Sequence, residues 1–445
     1  MGVLLQAFYW DCPKTSSNEF NWWNVVREKL PALKDVGFTA LWLPPSCKAA
    51  NIGGMSMGYD PYDFYDLGEF AQRDTIKTWF GSKLELLELI DTAHEYEMQV
   101  YADLVLNHNN GADEQELNPI DNQLRWTKFN PMSDRFERDW KCFHPSIFER
   151  WDNSVFGEMP DLCHRNPYVY SEMMEMTRWL IEDIGYDGFR YDFVLGYGGW
   201  LVRSILERRY IKNGRNDFAP FGVGECWNTD RDIDEWLDEV NNWSDNPGTA
   251  FDFPLRDKLK NLCDTYGYSL LNMITGETVS DERPSSAVTF VENHDIYRAN
   301  PIINDKMLAY AWILTHEGYP CIFWYDYFEL DLAKENAHNG IAALVHVHEK
   351  YATGNKKILY ADDDLYIMQR EGINNAPGLV LELNNKGDAW NGKTVKTKWS
   401  FTRLNAVAYY SSIDNGIPSS KQTDENGIAG FWAPPRGYAV YVIES

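Results

Sequence analysis

Gly188-Phe189-Arg190-Tyr191-Asp192 and Phe221-Gly222-Val223-Gly224-Glu225 are the two stretches on which the fold turns. Each is a short, largely apolar run that ends in an acid, and a longer helical pattern separates them. That cadence is the signature of βα units. Six more runs of the same kind extend the pattern in both directions: Val3 to Trp10, Thr39 to Pro44, Val100 to Val105, Ala250 to Phe253, Ala287 to Val291, and Pro320 to Trp324. Eight strands with helices between them predict a closed parallel (β/α)8 TIM barrel, with an open doubly wound sheet as the alternative.

Local signals support the helices. Ser82 and Glu85 form a Ser-x-x-Glu capping box ahead of Leu87, Ile90 and Ala93 on one face. Met173, Met176, Leu180 and Ile184 repeat at helical spacing before Gly185, a helix-ending residue. This methionine stripe reads as core packing rather than a cofactor surface. Between Asn107 and Tyr168 the periodicity fails in a long segment rich in Asn, Asp, Pro and aromatics. A loop of that length is functional or a small domain, and it follows the third strand, over the end where barrels keep their chemistry.

After about residue 353 short strands replace the alternation: Lys357 to Tyr360, Leu365 to Arg370, Leu379 to Leu383, Ala406 to Tyr410 and Tyr438 to Ile443. Asn415-Gly416 and Asn426-Gly427 are turn signals. The expected organisation is therefore a barrel of residues 1–106 and 168–352, an inserted domain of 107–167, and a C-terminal antiparallel β-sandwich of 353–445.

A net charge of −26 excludes a nucleic-acid partner, which needs clustered Lys and Arg, and suits a neutral polymer. No run of 18 apolar residues is present to span a membrane. The 18 Trp, 26 Tyr and 22 Phe could stack on sugar rings, but a large core also uses aromatics, and composition alone favours the core. Seven Cys is an odd number, so one thiol at least stays free in a monomer, the expected state. The first residues read as a strand rather than a leader. A chain that stays inside the cell is expected, or an extracellular one if Met1 was added to a mature form.

The acids carry the chemistry. Cleaving a glycosidic bond needs two carboxyl groups, one to attack or activate water and one to protonate the leaving oxygen. A lone acid at a strand end is more often a cap or an ion-pair partner. Here Arg190 precedes Asp192 by two residues, so both side chains share one face of an extended strand. A guanidinium there favours the ionised form that a nucleophile requires. Glu225 stands between Gly224 and Cys226-Trp227, an apolar setting that favours the protonated form of a general acid. His294-Asp295 adds a donor and an anion after the seventh strand.

Four segments in order resemble the motif regions of the α-amylase superfamily: Asp103-Leu-Val-Leu-Asn107-His108, Gly188-Phe-Arg190-Tyr-Asp192, Gly224-Glu225-Cys-Trp227, and Phe290-Val-Glu-Asn293-His294-Asp295. A fifth, Met159-Pro160-Asp161-Leu162, is similar to the motif near the end of that family's inserted domain B. Gln6 to Trp10, Gly58 to Asp63, and Ile313 to Gly318 look most like archaeal and plant members. The resemblance implies retaining endo-hydrolysis of α-1,4-glucan, with Asp192 as nucleophile, Glu225 as acid and base, and Asp295 as the third acid. It further implies that Arg190, His108, His294, Tyr59 and Trp227 contact the substrate or orient the acids. A structural Ca2+ would be held by the Asn107 side chain, the Asp161 carboxylate and the Gly196 carbonyl, with Asp152 a further candidate. His144, Cys163 and His164 are softer ligands, but they read as scattered loop residues and zinc is not expected.

Three positions depart from the family pattern. Leu195 precedes Gly196-Tyr197 where relatives carry Lys or Arg, Asn109 follows His108 where Arg is common, and Glu292 adds an unexplained charge beside Asn293. A 4-α-glucanotransferase or a short malto-oligosaccharide hydrolase uses the same acids and remains an alternative. An inactive carbohydrate-binding homologue is disfavoured by the intact Arg190, Asp192, Glu225 and Asp295.

Overall fold

The computed structural model describes residues 2–12, 20–51, 53, 56–152, 154–373 and 376–443. Residues 1, 13–19, 52, 54, 55, 153, 374, 375, 444 and 445, included in the expected domain ranges, lie outside these. Eight parallel strands are hydrogen-bonded in a closed ring: β1 (Leu4–Gln6), β2 (Ala40–Trp42), β3 (Gln99–Leu104), β4 (Gly188–Tyr191), β5 (Phe221–Gly224), β6 (Thr249–Phe251), β7 (Ala287–Phe290) and β8 (Tyr319–Phe323). Neighbours in the ring are neighbours in sequence, as short right-handed βα connections require. The expected eight runs are these eight strands. Six are shorter than expected, most of all β1 and β2. Asp252 and Phe253 do not extend β6: the Asp252 side chain accepts from Leu255 N and starts the helix Phe253–Asp264.

By chain contacts the molecule forms two compact units: Trp10–Ala32 with Ala40–Phe251, and Met1–Tyr9 with Leu33–Thr39 and Asp252–Ser445. The first holds β2 to β6. In it, β3 and β4 pair with Asp103 opposite Arg190, and β4 and β5 with Arg190 opposite Val223. The capping box of the helix Lys83–Glu95 is present, but its buried stripe is Leu86, Leu89, Ile90 and Ala93. Among several leucines, the set at i, i+3, i+4 and i+7 is the one the sheet covers. Met173 and Met176 are buried as expected. Their helix widens by one residue at its end, where Gly185 N reaches Leu180 O, and Gly185 takes φ 101°, a conformation that favours glycine. The segment after β3 contains a hairpin of Glu114–Asn118 and Gln123–Lys128.

The second unit holds β1, β7, β8 and the C-terminal strands β9 (Lys356–Ala361), β10 (Leu365–Arg370), β11 (Leu379–Asn384), β12 (Asn391–Lys396), β13 (Arg403–Ser411), β14 (Lys421–Gln422), β15 (Ile428–Ala433) and β16 (Gly437–Ile443). Six form one antiparallel sheet in the order β9-β10-β11-β16-β13-β14, and β12 pairs with β15. Ile367, Val380, Ala439 and Tyr441 from the large sheet share a core with Val395, Phe431 and Ala433 from the small one, which is the packing of a sandwich. Strands β12 and β15 escaped the sequence reading because Gly392, Gly430 and exposed Lys393 and Trp432 blur the alternation. No disulfide joins the cysteines among the described residues. No described helix is long and apolar enough to cross a membrane.

Candidate active site

The acids of the first unit meet at the ends of three adjacent strands. Asp192 N donates to Leu104 O and Glu225 N to Tyr191 O, both at 2.9 Å, so each acid continues its ladder by one residue. Arg190, fully buried, lies at the hub. Its Nη1 is 2.5 Å from Asp192 Oδ1 and 2.8 Å from Asp103 Oδ1, while Nη2 is 2.8 Å from Glu225 Oε2. One guanidinium thus holds three carboxylates, the fork geometry that lysine lacks.

This departs from the sequence reading, which put Asp192 beside a cation and Glu225 in apolar surroundings. Glu225 is buried as expected, but Arg190 reaches it because β4 and β5 pair in register and the guanidinium extends across both strand ends. The Phe193 amide also donates to Glu225 Oε2 at 3.1 Å. Tyr197 OH donates to Asp192 O at 3.1 Å, so Tyr197 supports the Asp192 backbone irrespective of Leu195.

Asp103 was quoted in a motif but given no role, and it anchors the cluster. It accepts from Trp42 Nε1 at 3.0 Å and Tyr59 OH at 2.9 Å besides Arg190. Burial pushes its carboxyl above the usual range, against the pull of Arg190, Tyr59 and Trp42. The signal was its register: Asp103 faces Arg190 across the ladder. Tyr59 in turn stacks on Trp10, with ring centroids 5.9 Å apart and planes 7° apart. His108 Nε2 lies 3.0 Å from Tyr59 O, its ring stacks on Phe156, and burial lowers its pKa so that it stays neutral. Trp227, just beyond Glu225, is half exposed.

His294 and Asp295 belong to the second unit. His294 Nδ1 lies 2.8 Å from Gln6 Nε2, and its Nε2 lies 3.3 Å from Asp295 Oδ2. The charge of Glu292 is accounted for: it is buried between Arg256 at 3.2 Å and Lys306 at 3.3 Å.

The expected metal ligands of the first unit also converge. Leu162 N binds Asn107 O, which sets Asp161 beside Asn107. A β-carbon on Gly196 would collide with Asn107 Oδ1, so this approach requires glycine. Both polar atoms of the Asn107 side chain and both Asp161 carboxylate oxygens are buried without a hydrogen-bond partner among the described residues. Burial and the neighbouring Asp152 push the Asp161 carboxyl up to about 8. Asp152, Asp161 and His144 have ligand atoms within 4.8 Å of one another. Burial pulls the His144 imidazole down, but Asp152 and Asp161 outweigh it and leave its pKa raised. Asn109 donates its side-chain amide to Pro61 O at 3.0 Å.

Comparison with known proteins places this geometry. A family model described as the α-amylase catalytic domain matches residues 14–199. The chain is 30% identical over 434 residues to an α-amylase of Geobacillus stearothermophilus, covering 85% of this chain and 76% of that protein. It is 28% identical over 510 residues to the cytoplasmic α-amylase of Escherichia coli (strain K12), covering 99% of each. The structure of an α-amylase from Geobacillus thermoleovorans complexed with acarbose superposes on 100% of this chain and 98% of that one, with a TM-score of 0.70 at 20% identity.

Proposed function

The chain belongs to the α-amylase family of glycoside hydrolases, and from that we propose that it cleaves internal α-1,4-glucosidic bonds with retention of anomeric configuration. The observation that carries the assignment is the sharing of Arg190 by Asp192 and Glu225 from adjacent strand ends. Two carboxylates on one guanidinium are neighbours, as a retaining pair about 5–5.5 Å apart must be.

Asp192 attacks the anomeric carbon while the Glu225 proton passes to the leaving oxygen. A covalent β-glycosyl-enzyme results. Glu225, now ionised, takes a proton from water, and the resulting hydroxide displaces Asp192 and restores both groups. Three carboxylates around one cation cannot all ionise without cost, and Glu225 is the member assigned to carry the proton to the leaving oxygen. Asp295 and His294 bind hydroxyls of the sugar being distorted, with His108 and Tyr59 on its other contacts, and Trp227 offers a ring to the chain.

The orphaned oxygens of Asn107 and Asp161 fit a hard cation with oxygen ligands. We assign Ca2+ to Asn107, Asp161 and the Gly196 carbonyl, with Asp152 adding charge. Bound there, it would neutralise buried acids and tie the 107–167 segment to the turn after β4. The substrate is a glucan polymer or malto-oligosaccharide, and the domain ranges expected above remain the working division of the chain.

Proton NMR of soluble starch with wild type and Glu225→Gln tests this reading. The expected result is loss of α-1,4 linkages with new α-anomeric ends and an inert mutant. New β-anomeric ends would overturn retention. Transfer products without net hydrolysis would move the assignment to a glucanotransferase.

A further inference from the structure

The segment Val291 to Ile302 leaves β7 carrying Asn293, His294 and Asp295, and both of its ends are tied to one buried pair. Arg256, on the helix Phe253–Asp264, donates from Nε to Val291 O at 3.3 Å and from Nη2 to Asn300 O at 2.5 Å. The same Nη2 meets Glu292 Oε2 at 3.2 Å. Glu292 Oε1 accepts from Ile302 N at 2.6 Å. Lys306 completes the network, 3.3 Å from Glu292 and 2.8 Å from Asp326, which also accepts from Tyr310 OH. Between the two ties, Asn293 Oδ1 accepts from the amides of Asp295 and Ile296.

Arg256 and Glu292 are each 1% exposed. A buried ion network of this kind adds little net stability over an apolar replacement, but it selects one backbone arrangement, because each carbonyl and amide must find its own partner. It is placed at both ends of the segment bearing Asp295. We propose that Arg256 and Glu292 are positioning residues that fix the Val291–Ile302 segment so that Asp295 meets the substrate in one orientation. This rests on the role given to Asp295 above.

Arg256→Lys keeps the charge and removes the fork. In the full-length protein it should lower kcat roughly 10–100-fold, the scale of a small misplacement, with KM changed less than about 3-fold and the pH profile unmoved. A double-mutant cycle with Asp295→Asn, read as acarbose affinity, separates positioning from general weakening. Loss of affinity from Arg256→Lys should shrink to below about 2-fold once Asp295 is Asn. An equal loss in both backgrounds, or wild-type kcat in Arg256→Lys, overturns the proposal. Full activity of Asp295→Asn alone would instead overturn the role of Asp295. If Arg256→Lys does not fold, Glu292→Asp, which keeps the charge but shortens the reach to Ile302 N, is read by the same cycle.

Discussion

Two buried acid clusters in the same unit are handled in opposite ways. Around Arg190, Asp103, Asp192 and Glu225 each have a cation within 2.8 Å, and Asp103 has two further donors. Around Asp161, no donor among the described residues meets either carboxylate oxygen, and Asp152 stands close enough to raise its pKa. The first cluster is completed by the protein's own donors. The second is complementary to a cation the chain itself does not supply. Buried carboxylates are costly unless paired, so the way each is paired distinguishes chemistry from ion binding.

The sharpest way to break this contrast is at the first cluster. Asp192→Asn should keep the fold and lower kcat by roughly 10⁴-fold or more, measured as reducing ends released from starch; a mutant within tenfold of wild type removes the proposed nucleophile. At the second cluster, stripping the ion with a chelator should lower the melting temperature without erasing the barrel's circular dichroism. A ligand at about 100 times its Kd contributes ~2.7 kcal/mol. Calcium should restore the transition in wild type and fail to do so in Asp161→Asn.

A third buried carboxylate extends the comparison. Glu382 of β11 points into the sandwich on the face of Val380, and neither oxygen has a partner among the described residues. Burial raises its pKa well above 4.5, with Lys421 pulling weakly the other way. The folded state therefore holds a proton that the unfolded chain gives up, so stability falls as pH rises above about 4.5, until the folded group ionises. Glu382→Leu should flatten that slope and stabilise the protein at pH 7 by ~1–3 kcal/mol, checked by urea melts across pH. An unchanged slope would mean that Glu382 is paired in solution. The smallest effect is expected at Trp227→Ala, where loss of a half-exposed ring should raise KM about 3–10-fold and leave kcat within a factor of about two.

The barrel was legible because its strands are continuous apolar runs bounded by helical periodicity, and burial on both faces demands that composition. The sandwich was less so, since β12 and β15 cover only one face and carry glycine and charge among their apolar positions. Asp103 illustrates the limit at the site. Its motif was visible, yet its work depends on facing Arg190 across the ladder, and strand register is a property of pairing rather than of either strand alone. Glu292 is the converse case, an unexplained charge until Arg256 and Lys306, distant in sequence, are found against it.

By itself the sequence determined the order of βα units, the acids at the strand ends and the family they resemble, because periodicity and local motifs are encoded in neighbouring residues. Only the tertiary structure decided which charges share a partner. Arg190 serves three acids, Asp161 is left with none and Glu292 is neutralised, because pairing in a low-dielectric interior depends on distances between residues remote in the chain.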